Sequence, residues 1–106
     1  MNFKKGVQIM GISPVMSAII PLIDSVYLEV AGRYATCTSC RDGKHKGLPH
    51  YLGYAFDLRT RGDNDTEQWS DGVKNGISNR LSSRLPLDFD VVVESTHIHL
   101  EYDPRV

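Results

Sequence analysis

The stretch FDVVVESTHIHLEY, running from Phe89 to Tyr102, holds two strand signals in close succession. Phe89 to Val93 is aromatic and β-branched, and His97 to Tyr102 alternates apolar with polar residues. Only Glu94, Ser95 and Thr96 separate them, so the two segments are expected to pair as an antiparallel hairpin. In a strand, residues two apart point to the same face. His97 and His99 therefore project side by side. Glu101 shares their parity but lies further along the strand, and Asp103 lies close to the end.

Working outward, Leu48 to Arg61 reads LPHYLGYAFDLRTR. Tyr54 to Arg59 is expected to form a strand, with Ala55 and Asp57 on one face and Phe56 and Leu58 on the other. Tyr34 to Thr38 reads as another short strand, Ser39 to Pro49 as a loop rich in Gly, Lys and Asp, and Arg61 to Asp65 as a polar turn. Ser13-Pro14 has the form of an N-cap followed by proline at the first helical position. Val15, Ile19, Ile23, Val26, Tyr27 and Val30 then recur at helical spacing, and Gly32 is a natural stop. Pro21 falls inside this expected helix, at a cost of ~3 kcal/mol or a kink. Trp69, Val73, Ile77 and Leu81, each four apart, suggest a second helix despite Gly72 and Gly76. Pro86 ends that region. The expected architecture is α+β: one domain over 1–106, with a small antiparallel-rich sheet backed by two helices.

A chain of 106 residues buries roughly 65% of the surface its unfolded form exposes, enough for one core. Hydrophobic residues make up 41% and charged residues 24%, ordinary for a globular domain. The net charge of -1 lacks the basic surplus of a nucleic-acid binder. Two cysteines, Cys37 and Cys40, are too few for a disulfide scaffold and suit small buried positions beside a strand. Lys4 and Lys5 precede an apolar stretch from Val7 to Ile23, as in a secretory signal. Gln8, Pro14 and Pro21 interrupt it, Asp24 follows directly, and no small-residue cleavage site closes it. The segment is therefore read as part of the fold. No run is expected to serve as a membrane span of ~18 apolar residues. A monomer without nucleic-acid or membrane partners is expected.

The histidines are His45, His50, His97 and His99: two in one loop and two in the hairpin. A lone His-x-His pair is by itself commonly a solvated coincidence. Asp57 alters the picture, because a carboxylate among Tyr54, Phe56 and Leu58 is costly unless paired or metal-bound. His50, Asp57 and His99 supply three nitrogen and oxygen ligands and leave a fourth tetrahedral position for water, the pattern of catalytic zinc. Taken alone, Asp57 reads more readily as a surface residue capping a turn than as a ligand.

HYLGYAFD, from His50 to Asp57, resembles the H-x-x-G-x-A-x-D part of the S-x-H-x-x-G-x-A-x-D motif of the LAS metallopeptidases. These are D-Ala-D-Ala carboxypeptidases and dipeptidases, together with peptidoglycan endopeptidases of phage endolysins. Their second motif, H-x-H near the C-terminus, is matched by His97-Ile98-His99. The strings SCRDGKHKGLPHYLGYAFDLRTR and FDVVVESTHIHLEYDP look most like small phage-encoded members, and are similar to the metal-binding region of hedgehog domains. The resemblance covers Ser39 to Pro104.

The resemblance implies a zinc ion held by His50, Asp57 and His99, with His97 lining the site. It implies that Arg41 holds substrate or its developing oxyanion, and that His45 is an accessory loop residue; apart from the resemblance, Tyr51 is read as an aromatic that contacts the wall substrate. The motif's serine is replaced by Leu48. Thr96 stands where many relatives carry the acidic general base, three residues before the last zinc histidine, which leaves Glu94 as the nearest carboxylate. An alternative register, Glu94-x-x-His97, makes His97 the ligand. The implied reaction is hydrolysis of peptide bonds in peptidoglycan stem peptides, by a D-Ala-D-Ala carboxypeptidase or an endolysin-type endopeptidase. Zinc lowers the pKa of bound water toward ~7 and polarises the carbonyl. Glu94 moves the proton, and Arg41 or His97 stabilises the oxyanion. Without a clear signal peptide the protein is expected in the cytoplasm of the producing cell, and the same resemblance implies release to the wall by a phage lysis system.

Two other readings compete. Cys37, Cys40, His45 and His50 have the spacing C-x2-C-x4-H-x4-H, which resembles a nucleic-acid-binding zinc knuckle but leaves HYLGYAFD and the His-x-His pair unexplained. A zinc domain of the same fold without catalysis is favoured by Thr96. Trp69 is expected to anchor the second helix in the core, and Asp63 and Asp65 to belong to a solvated turn.

Overall fold

The computed structural model of the chain describes residues 1–40 and 54–103. In chain order its elements are β1 (Asn2–Phe3), α1 (Pro14–Ala18), α2 (Ile20–Ala31), β2 (Thr36–Ser39), β3 (Ala55–Arg59), α3 (Asp71–Arg84), β4 (Phe89–Val93) and β5 (His97–Tyr102). The strands form one sheet in the order β1-β2-β3-β5-β4. β1 runs parallel to β2, and the remaining pairs are antiparallel. The fold is α+β with an antiparallel-rich sheet. The hairpin forms over the two segments that the sequence marks, with Val93 opposite Ile98 and Phe89 opposite Tyr102.

The first helix differs from the sequence expectation. Ser13 caps α1 by accepting a hydrogen bond from the Met16 amide, and Pro14 occupies its first turn. The chain then breaks at Ile19 and restarts as α2 with Pro21 in its first turn. A proline there loses nothing, because the first amides of a helix have no intrahelical acceptor. The expected kink is thus resolved into two helices. α2 ends at Gly32, whose φ of 72° is the left-handed cap that glycine accepts readily.

α3 also starts later than expected. Ser70, not Trp69, marks its boundary: the Ser70 hydroxyl accepts from the Val73 amide, and Asp71 adds favourable charge to the first turn. Trp69 precedes the helix in an extended segment, where its amide donates to the Thr60 carbonyl. Its ring packs at 6.1 Å from that of Tyr27. Trp69 therefore helps to close the core without belonging to the helix. Arg84 near the end of α3 forms a two-pronged pair with Glu29 of α2, at 3.0 and 2.8 Å. β1 carries no sequence signal, because two residues at a sheet edge leave no periodicity to read.

The core lies between the helices and one face of the sheet. Phe56, Leu58, Ile98, Leu100 and Cys37 of the sheet, Met16, Ile23, Val26 and Tyr27 of α1 and α2, and Ile77 and Leu81 of α3 are fully buried there. Cys40, directly after β2, is also buried in this cluster, as the sequence suggested for both cysteines. Together α1 and α2 span Pro14–Ala31, with a mean hydropathy of 1.5. By length and composition this is enough to cross a membrane, contrary to the expectation from sequence that no run approaches such a span. The helices nevertheless give Met16, Ile23, Val26 and Tyr27 to the core, and the buried Asp24 carboxylate of α2 accepts from the Met1 ammonium and the Ala35 amide.

Candidate metal centre

β3 lies inside the sheet, flanked by β2 and β5; its pairing with β5 is regular from Ala55 to Arg59, whereas its pairing with β2 shifts register between Cys37 and Ser39. Phe56 and Leu58 face the core; by alternation Ala55, Asp57 and Arg59 occupy the second face. Across the strands this face is built in rows. Asp57, His99 and Val92 form one row, which Ser39 joins opposite Asp57 across the register shift in β2, and Arg59 and His97 form the next. The hairpin turn closes beside His97, where the Glu94 amide donates to the His97 carbonyl at 2.8 Å. A third row carries Ala55, Glu101 and Asp90.

The central row brings Asp57 and His99 into contact. Asp57 is 8% exposed, and its Oδ1 lies 2.8 Å from His99 Nδ1. His97 Nε2 lies 3.7 Å from the same oxygen. His97 Nδ1 lies 3.2 Å from the Thr96 hydroxyl. The other nitrogen of His99, Nε2, is 3.0 Å from Glu101 Oε1. The hydrogen bond to Asp57 raises the His99 pKa above the usual histidine value. Partial burial opposes this shift, and the Glu101 carboxylate adds to it.

Of the sequence-derived candidates, the structure brings Asp57, His97 and His99 together on one face, with Glu94 at the start of the adjoining turn. Arg41, His45, His50 and Tyr51 lie outside the described residues. Among the described residues, no group of three His, Cys, Asp or Glu side chains is arranged to hold a metal ion. The donor set nevertheless fits zinc in kind. Tetrahedral ligands at about 2.0–2.2 Å from one zinc ion stand about 3.3–3.6 Å from each other, so the Asp57 and His99 donor atoms, 2.8 Å apart in their hydrogen bond, would have to separate by roughly half an ångström to share a metal.

Sequence reasoning set aside Glu101 as too distant along the strand, yet its carboxylate contacts His99; the shared parity was the available signal. It also missed Lys74, which is 6% exposed on the core side of α3. Lys74 Nζ donates to the Ser95 carbonyl at 3.0 Å and so ties α3 to the turn that presents His97. Asp63, in the turn after β3, pairs with Arg33 and Arg59. A cleft of about 490 Å³ opens along the Asn64 to Trp69 segment, and among the described residues none of the candidate site residues lines it. Compared with known proteins, the chain matches no family model, no curated protein and no solved structure.

Proposed function

We propose that this protein is a zinc-dependent peptidase acting on peptidoglycan stem peptides. The observation that carries the reading is the pairing of Asp57 with His99 across β3 and β5, with His97 on the same face. The two motifs are separated by about 40 residues of chain, and the sheet places their ligand types at contact distance. Asp57 and His99 would hold the metal together with His50. Bound zinc supplies Lewis acidity and a water acidic enough to be deprotonated near neutral pH. The sheet holds both ligands in register, which limits the reorganisation needed on binding.

Glu94 serves as proton acceptor in this reading. Its backbone is hydrogen-bonded to His97, and strand alternation puts it on the face of Val92 and His99. Substrate enters with its scissile carbonyl near His97, whose imidazole can donate to the developing oxyanion. Arg41 and His45 retain the roles that the resemblance gives them, and Tyr51 that of an aromatic contact to the substrate.

A second reading, a zinc domain without catalysis, draws on Thr96. Its hydroxyl is 3.2 Å from His97 Nδ1, so the position that carries an acid in many relatives engages His97 instead. The zinc-knuckle reading is weakened by the burial of Cys37 and Cys40 in the core cluster, since Cys37 lies on a strand whose neighbour Leu58 faces the helices. The deciding experiment is metal analysis of the purified protein, followed by digestion of muropeptides with and without a chelator. Zinc near one per chain with chelator-sensitive cleavage supports the peptidase. Zinc without cleavage favours the binding domain, and no zinc defeats both.

A further inference from the structure

We propose that Glu101 is a positioning residue of this centre: it holds the Nε2–H of His99 and so commits His99 to bind metal through Nδ1. The inference rests on the zinc reading above and deepens it. His99 has two ring nitrogens, and the structure gives them different neighbours. Nδ1 is 2.8 Å from Asp57 Oδ1, and His97 Nε2 approaches the same oxygen at 3.7 Å. Nε2 points the other way, to Glu101 Oε1 at 3.0 Å. The side of the ring where ligand types converge is the Nδ1 side.

An imidazole that gives one nitrogen to a metal carries its proton on the other. A carboxylate accepting that proton fixes the tautomer, locks the ring orientation and makes the ligating nitrogen more basic. Glu101 is built for this task by strand geometry. It stands two residues after His99 on β5, on the same face, and its neighbour across β3 is Ala55, whose methyl group leaves room for the carboxylate. Its side chain is 23% exposed, as is that of His99, so solvent competes only partly with the contact.

The test uses the full chain and zinc alone, with affinity read by competition against a chromophoric chelator at neutral pH. Glu101→Ala should keep one zinc per chain but weaken it by about 10–100-fold. Glu101→Gln retains a side-chain carbonyl acceptor and should recover most of that loss. ¹⁵N-resolved spectra of the zinc-loaded wild type should show His99 protonated at Nε2. Wild-type affinity in Glu101→Ala, or a proton on Nδ1 in the loaded protein, overturns the inference while leaving the zinc reading intact. If both Glu101 variants lose zinc as completely as His99→Ala, Glu101 is itself a ligand and the positioning role is wrong. A wild type that binds no zinc overturns the reading and the inference together.

Discussion

His99→Ala removes one imidazole that touches two carboxylates, and the size of its effect follows from those contacts. The Asp57 side chain is only 11% exposed, and its hydrogen bond to His99 measures 2.8 Å. A hydrogen bond to a charged group contributes roughly 1.5–3 kcal/mol. Glu101 is more exposed, so water replaces its contact and that loss is small. The metal-free variant should therefore be destabilised by about 2 kcal/mol. For a domain near this size, the midpoint of thermal unfolding moves by roughly 5 °C per kcal/mol, giving a fall of about 10 °C. Zinc adds a second, separable effect. At a free concentration about 100 times its Kd, a ligand of the native state contributes ~2.7 kcal/mol, or roughly 13 °C on the same scale. The wild type should show that increment and His99→Ala should not. Circular dichroism melts in chelator and in zinc measure both. A variant that melts with the wild type in chelator refutes the energetic argument for the Asp57–His99 bond. A variant that keeps the zinc increment refutes His99 as a ligand.

The remaining expectations concern the same face. The His99 pKa is raised, so its stabilising contribution to the metal-free protein is complete below the ordinary histidine value of about 6.5 and is lost as pH rises through the higher folded value. Metal-free melts across that range should show the decline in the wild type and a flatter profile in His99→Ala, while zinc affinity should rise with pH as the competing proton leaves. Glu94→Gln should bind zinc normally and cleave muropeptides about 10²–10⁴-fold more slowly; cleavage at the wild-type rate removes Glu94 as the base. His97→Ala should retain zinc and lose activity, whereas loss of zinc would favour the Glu94-x-x-His97 register. Replacing Cys37 and Cys40 together with Ser should lower the melting midpoint, since both are fully buried, and leave zinc content unchanged; an emptied site would restore the knuckle.

The sequence by itself determined the elements whose signals are local. The hairpin was legible because strand propensity, alternation and a three-residue gap agree over one short stretch. The shared face of His97 and His99 follows from the period of a strand and needs no partner. Ser13 and Gly32 were legible for the same reason, since a cap is made within a few residues of chain. Helix boundaries were less secure: apolar spacing runs through Pro21 and begins at Trp69, but the hydrogen bonds that set the ends are made at Ile19 and Ser70. What only the tertiary structure decided is which distant residues meet. The register of β3 on β5 sets Asp57 against His99, and a shift of one residue would turn Asp57 toward the core. That register is fixed by the burial of Phe56, Leu58, Ile98 and Leu100 on the opposite face, a cooperative packing of the whole sheet against the helices. The contact of Glu101 with His99 and the reach of Lys74 to Ser95 are distances between side chains, which no spacing along the chain specifies.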